Sequence, residues 1–208
     1  MSATIEQLDR LKALGAATVY EAQGAFGAFD SGIKPLDPKS RIAGPAFTVD
    51  MRPADNLTIH IALETAKPGD ILIIDASGFM EAGPWGDILT LQAMEMGLGG
   101  LVIDGCVRDG NDIVESGFPV FCRGLSIKGT EKKALGKIGV PIVIGGVSVC
   151  PGDIIVGDRD GLVSVPKDTV DSAIAASEVR MLQEEEMRRS IRAGGTTSQL
   201  LGVSGKHG

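Results

Sequence analysis

Two short apolar runs, ILIID at residues 71–75 and LVID at 101–104, flank a single loop and a single helical segment, and this spacing constrains the fold more than any other feature. Apolar strands without polar alternation are buried on both faces, as in parallel sheets. The loop is ASGFMEAGPWG, punctuated by Gly and Pro; the helix is DILTLQAMEM, residues 87–96, made of good helix formers and followed by Gly97 as a stop. Strand, loop, helix and strand in that order form a βαβ unit, and the helical crossover makes its two strands parallel.

The rest of the chain is read around this unit. TIEQLDRLKAL, residues 4–14, spaces Ile5, Leu8, Leu11 and Leu14 at three-residue intervals and ends at Gly15, which predicts an amphipathic helix. A second short helix is expected from Thr18 to before Gly24, and NLTIHIALETA, 56–66, reads as a third. Strands are expected at 46–51, 118–123, 141–149, 153–158 and 161–166. The tetrapeptide PGDI occurs at 68–71 and at 151–154, and is read as a turn that launches a strand rather than as an internal repeat. One α/β domain over 1–208 follows: N-terminal helices to residue 24, a core over 25–166, a C-terminal helix over 167–192, and a Gly/Ser-rich flexible tail over 193–208.

Composition narrows the function. A net charge of −7 with few aromatic residues argues against nucleic acid, whose backbone is held by clustered Lys and Arg. No apolar run reaches spanning length and no leader pattern opens the chain, so no membrane partner is expected and the location expected is cytoplasmic. Cys106, Cys122 and Cys150 lack metal or disulfide spacing and read as small buried residues. Of the two histidines, His207 falls in the tail and His60 reads as a core or near-surface residue, which leaves catalysis to carboxylates, arginine, lysine or a metal.

The βαβ unit gives the site an address, because ligands of open parallel sheets bind beyond the carboxyl ends of the strands. There the loops after Asp75 and Asp104 lie side by side. The helix starting at Gly86-Asp87 aims unpaired N–H groups and its positive dipole end at that edge, which suits a carboxylate or phosphate. The neighbouring stretch DGCVRDGND supplies Arg108, a fork for a carboxylate, and Asp109, a hard anionic ligand. Adjacent side chains often point apart, so the two are expected to serve different ligands, with Asp109 and Asp87 suiting a hydrated Mg²⁺ or Mn²⁺. From spacing alone, a solvated turn with a structural ion pair is an equal alternative. Trp85, Phe79 and Met80 are candidate pocket walls, with the core as an equal alternative for each.

Other chemistries lack their motifs. GLGG at 97–100 precedes a strand, whereas a dinucleotide fingerprint follows one; there is no P-loop and no nucleophile elbow. Lys128, Lys132 and Lys133 in KGTEKK read as a solvated segment without the desolvation that a Schiff-base lysine needs.

From about residue 18 to 166 the chain resembles the RraA-like family, which includes the class II 4-hydroxy-4-methyl-2-oxoglutarate/4-carboxy-4-hydroxy-2-oxoadipate aldolases with their oxaloacetate decarboxylase side activity. The resemblance runs through IKPL at 33–36, RIAGPAFTV at 41–49, NLTIHIALETAKPGDILIID at 56–75, GDILTLQAMEMGLGGLVIDGCVRD at 86–109 and GDRDGLVSVP at 157–166. It implies a swivelling ββα domain in a ring-shaped homotrimer that can stack as a hexamer. It implies that Gly86, Asp87, Ile88 and Leu89 bind the pyruvate moiety of a 2-oxo acid through backbone amides. Arg108 then holds substrate oxygens, Asp109 the divalent metal (Mg²⁺ or Mn²⁺), and Asp87 lies beside the hydration shell of that metal. A ribonuclease-regulator branch of the family commonly has Gln where this chain has Asp109, which favours an enzyme here. A further acidic group reaches the aldolase site from the neighbouring subunit, with Glu184, Glu185 and Glu186 as candidates. YEAQG at 20–24 departs from the Asp-Ala pair expected there.

Overall fold

A computed structural model describes residues 3–204 of the chain. The N-terminal pair is α1 (Ile5–Leu14) and α2 (Ala16–Ala22). A capping box starts α1: the Thr4 hydroxyl accepts from the Gln7 N–H (3.2 Å) while the Gln7 side chain accepts from the Thr4 N–H (2.7 Å). Next come β1 (Lys34–Pro35), β2 (Ile42–Asp50), α3 (Leu57–Leu63), β3 (Ile71–Phe79), α4 (Asp87–Glu95), β4 (Gly100–Val107), α5 (Gly110–Ser116), β5 (Val120–Cys122), β6 (Gly124–Leu125) and β7 (Lys137–Ile138). The chain closes with β8 (Ile142–Ile144), β9 (Val147–Val149), β10 (Ile154–Gly157), β11 (Leu162–Val165), α6 (Val170–Arg192) and α7 (Thr197–Leu200).

The main sheet runs β1-β5-β4-β3-β2-β10-β11, with β6 beside β4 and β7 beside β2. Its centre is parallel, with β2 on β3, β3 on β4 and β4 on β5, while β10 and β11 add antiparallel edges. This is the expected α/β fold with a parallel βαβ core and helices at both ends. Leu72, Ile74, Leu101 and Ile103 pack with α3 and α4 on one face; Ile71, Ile73 and Val102 pack on the other with Phe29, Ile33 and the β8–β9 hairpin. A third cluster seats α1, α2 and the first half of α6 on β10 and β11. Each fully buried Leu or Ile contributes roughly 1.5–3 kcal/mol.

Several expected boundaries are corrected. β4 continues three residues beyond LVID, so Asp104 lies inside the strand and not at a loop. There it is buried and ion-paired with Arg123. β3 likewise runs on to Phe79, and β2 begins four residues before the expected start. The stretch 141–149 is a hairpin rather than one strand, because Gly145 and Gly146 take φ of +54° and +79°, the backbone of a tight two-residue turn. Both PGDI segments are the same turn: Pro leads, Gly69 and Gly152 take φ of +86° and +87°, and Asp70 and Asp153 each accept from the N–H three residues earlier at 2.8 Å. α7 falls within the Gly/Ser-rich end, while residues 205–208, His207 among them, lie outside the described residues.

Candidate active site

The site is built where β4 ends and α4 begins. Gly86 is the N-terminal cap of α4 with extended backbone and no side chain of its own to satisfy the first-turn amides. A Cβ on Gly86 would lie 2.4 Å from Asp109 Oδ2 and 3.1 Å from Arg108 Nε, so any larger residue here displaces these two side chains from the corner. The Arg108 N–H donates to the Trp85 carbonyl at 2.9 Å, which ties the end of β4 to the residue before the cap. Trp85 is fully buried and stacks on Phe118 at 6.3 Å, while its indole N–H donates to the Thr90 hydroxyl at 2.7 Å. That hydroxyl in turn donates to the Gly86 carbonyl at 3.0 Å.

Asp109 follows at φ +55°, ψ +40°, a left-handed conformation that costs a non-glycine residue on the order of 1–2 kcal/mol. This bend turns its carboxylate back toward α4. Oδ2 accepts from Arg108 Nε at 3.3 Å and, weakly, from the Asp87 N–H at 3.4 Å. Arg108 and Asp109 therefore form the ion pair that was the equal alternative, rather than pointing apart. They touch through one oxygen, half exposed, an ion pair worth no more than about 1 kcal/mol. Asp109 Oδ1 and the terminal guanidinium nitrogens have no hydrogen-bond partner among the described residues.

Two cavities open here. One of about 310 Å³ is lined by Gly86, Asp87, Ile88, Leu89 and Arg108 together with Asn56, His60 and Lys132. The second, about 300 Å³, is lined by Arg108, Asp109 and Leu125 among others. The structure thus brings Gly86, Asp87, Ile88, Leu89, Arg108 and Asp109 to one place, but sets Asp87 and Asp109 in adjacent cavities with Arg108 shared between them. Leu89 is largely buried and turns its side chain to the core, while Ile88 is exposed.

Sequence reading missed the opposite wall. Asn56 is buried, its amide donates to the Pro84 carbonyl at 2.9 Å, and its Oδ1 has no partner. His60, one helical turn on, has an unpartnered buried Nε2, and its pKa is lowered by burial first and by the charge of Lys132 second. The four-residue spacing of Asn56 and His60 on one helix was the available signal. Lys132 belongs to KGTEKK, which is solvated as expected but whose backbone is pinned. Asp55 anchors it by accepting from the N–H groups of Lys133 and Ala134, both at 2.8 Å, and the Gly83 N–H donates to the Lys128 carbonyl at 2.9 Å. For Asp55, burial opposes ionisation, but these N–H groups and that of Leu57 outweigh it and lower the pKa. Of the residues that could be pocket wall or core, Trp85 is core, and Met80 packs its sulfur on Cys106 at 3.7 Å.

Among the described residues no three His, Cys, Asp or Glu side chains converge as a metal cage. Asp109 with its free Oδ1, and Asp87 nearby, fit an ion that takes most of its shell from water and substrate, as Mg²⁺ and Mn²⁺ do, rather than zinc. Glu184, Glu185 and Glu186 lie far along α6, each within reach of arginines on the same helix: Arg188 at 2.9 Å from Glu184, Arg192 at 3.7 Å from Glu185 and Arg189 at 3.6 Å from Glu186.

A mixed α/β fold in which a helix N-terminus, an arginine and an aspartate meet beyond parallel strands defines the class. Residues 16–164 match the family model described as RraA-like: Aldolase/RraA, and the chain belongs to this family. It is 34% identical over 189 residues to a protein of Halalkalibacterium halodurans named "Putative 4-hydroxy-4-methyl-2-oxoglutarate aldolase", covering 91% of this chain and 90% of that one. An uncharacterised protein from Pseudomonas syringae superposes with a TM-score of 0.82 at 29% identity over 96% of this chain and 98% of the other. RraAS2 of Streptomyces coelicolor, titled an unusual member of the RNase ES inhibitor RraA protein family, gives 0.79 at 28% identity, covering 90% and 98%.

Proposed function

We propose that this protein is a divalent-metal-dependent lyase that cleaves a carbon–carbon bond of a 2-oxo acid and releases pyruvate. The reaction is a retro-aldol cleavage of a 4-hydroxy-4-methyl-2-oxoglutarate-type substrate, with oxaloacetate decarboxylation as its companion. What carries this reading is the corner at Gly86, where first-turn amides of α4, Arg108 and Asp109 crowd around a residue without a side chain.

The α4 amides hold the carboxylate of the 2-oxo acid, with the helix dipole behind them. Asp109 would hold the Mg²⁺ or Mn²⁺, which when bound supplies Lewis-acid polarisation of the 2-oxo oxygen. Arg108 sets positive charge where enolate charge develops as the C3–C4 bond breaks. Asp87 orients the water that takes the proton from the 4-hydroxyl. C4 becomes a carbonyl, the bonding pair enters the enolate, and a proton returned to C3 completes pyruvate. Oxaloacetate yields the same enolate by loss of CO₂ and needs no base.

The assembly proposed is a homotrimer, alone or stacked as a hexamer. Its support is the outer half of α6, where Val179 and Leu182 are exposed beside Glu184, Glu185 and Glu186.

The test is pyruvate release from oxaloacetate with Mg²⁺ or Mn²⁺, with EDTA, and with Arg108→Ala and Asp109→Asn protein, against metal alone. Wild type is expected above the metal-only rate and both variants at it. A wild type no faster than metal removes oxaloacetate decarboxylation. The likeness to the RNase ES inhibitor family favours a second reading, a non-catalytic regulator of a ribonuclease, which predicts no turnover and ribonuclease inhibition that survives Asp109→Asn.

A further inference from the structure

A helix leaves its first N–H groups unpaired, and a Ser, Thr, Asp or Asn cap usually accepts one or two of them. The start of α4 is made differently. Gly86 has no side chain to offer its first turn, and the turn is held from the carbonyl side instead. The Gly86 carbonyl accepts both the Thr90 N–H and the Thr90 hydroxyl, each at 3.0 Å. A threonine that bonds back to the carbonyl four residues earlier is common in helices and by itself means little. Here the same hydroxyl also accepts the indole N–H of Trp85 at 2.7 Å, and both side chains are buried. Turning the hydroxyl away would leave a buried indole N–H unpaired, so the contact is locked. The neighbouring carbonyls are pinned as well: Pro84 accepts from Asn56 Nδ2 and Trp85 from the Arg108 N–H, both at 2.9 Å. In a trans peptide the N–H points opposite to the carbonyl of its own plane. Fixing three successive carbonyls therefore fixes the aim of the Trp85, Gly86 and Asp87 N–H groups, and that of Asp87 faces the corner, where its one bond is the weak 3.4 Å contact to Asp109 Oδ2.

We infer that Thr90, locked by Trp85, is a positioning residue for the start of α4: its hydroxyl sets the Gly86–Asp87 peptide so that the first-turn amides meet the carboxylate of the substrate. The inference rests on the reading of those amides as the carboxylate site, and it adds a residue that touches neither substrate nor metal. A carboxylate remote from the breaking bond is held alike before and during cleavage. Loss of the alignment should therefore weaken binding and leave the chemical step alone.

Thr90→Val keeps the shape of the side chain and removes the hydroxyl, whereas Thr90→Ser keeps the hydroxyl. Calorimetric titration with pyruvate in the presence of Mg²⁺, well below each variant's unfolding midpoint, is expected to show Kd raised about tenfold in Thr90→Val, the weight of one hydrogen bond, and within about twofold of wild type in Thr90→Ser. With oxaloacetate, KM should rise by about the same factor while kcat stays within about twofold. A role in stability alone would lower the midpoint of Thr90→Val and move neither constant. Trp85→Phe keeps a ring against Phe118 and removes the N–H; it should raise Kd for pyruvate about threefold, and it carries the test where Thr90→Val does not fold. No pyruvate binding by wild type, unchanged affinity in the folded variants, an equal loss in Thr90→Ser, or a fall in kcat at constant KM overturns the inference. Pyruvate affinities in the expected order, in a protein without turnover, keep the inference and sink the lyase reading. Turnover above the metal-only rate with a pyruvate affinity indifferent to Thr90→Val does the reverse.

Discussion

The two walls of the larger cavity are made by different means. The β4–α4 wall is regular structure: Gly86 is where it is because a helix starts there, and Arg108 because a strand stops. The α3 wall depends on irregular backbone, residues 126–136, pinned by long-range bonds to Asp55, Thr58, Ala54 and Gly83. A wall set by secondary structure tolerates loss of a remote contact, whereas a wall set by a few side-chain anchors moves when one anchor is lost.

Glycine substitutions on the two walls test this contrast most sharply. Gly86→Ala puts a methyl 2.4 Å from Asp109 Oδ2 and displaces the Asp109 carboxylate and Arg108 together. Lyase kcat/KM is expected to fall by about 10²–10³, the cost of losing a transition-state donor, with the unfolding midpoint little changed. Full activity in Gly86→Ala would place the chemistry elsewhere. Gly83→Ala drives its methyl to 2.4 Å from the Ser126 carbonyl, which is backbone and cannot swing away. It should shift the 126–132 segment, raise KM roughly tenfold and leave kcat within a few-fold; equal losses in both parameters would show that the two walls are not independent.

Thr90→Val addresses the regular wall alone. It leaves the buried Trp85 N–H without its acceptor, and the expected loss is about 1–3 kcal/mol of stability. Trp85 is the only tryptophan, so denaturant titration followed by its fluorescence reads the site directly, and an unchanged midpoint would mean that the hydroxyl is dispensable. The smallest effect belongs to His60. Its folded pKa lies below the ordinary imidazole value, so below about pH 6.5 the unfolded chain takes up a proton that the folded chain resists. Stability from this residue is therefore lost as pH falls through that region and is unaffected above it. His60→Gln should flatten the pH dependence of stability between about pH 7 and 5 by less than about one proton; an unchanged slope would mean the ring titrates freely.

The parts of the site that could be read from the chain are those whose place follows from local periodicity. ILIID, DILTLQAMEM and LVID determined a parallel βαβ core, and with it the edge where Gly86, Asp87, Arg108 and Asp109 gather. The contact between Arg108 and Asp109 stayed one of two alternatives, because it depends on the left-handed turn at Asp109, which residue type permits but does not demand. Trp85 stayed open for a related reason: a large aromatic beside a loop fits a pocket wall and a core equally well, and only its packing on Phe118 and its bond to Thr90 decide. His60 and Lys132 lie 72 positions apart and are brought to one cavity by bonds such as those from the N–H groups of Lys133 and Ala134 to Asp55, unremarkable in the chain. Hydrophobic pattern and helix propensity act between near neighbours and are written in the sequence; hydrogen bonds that pin irregular backbone act between partners the sequence does not mark, and those only the tertiary structure decided.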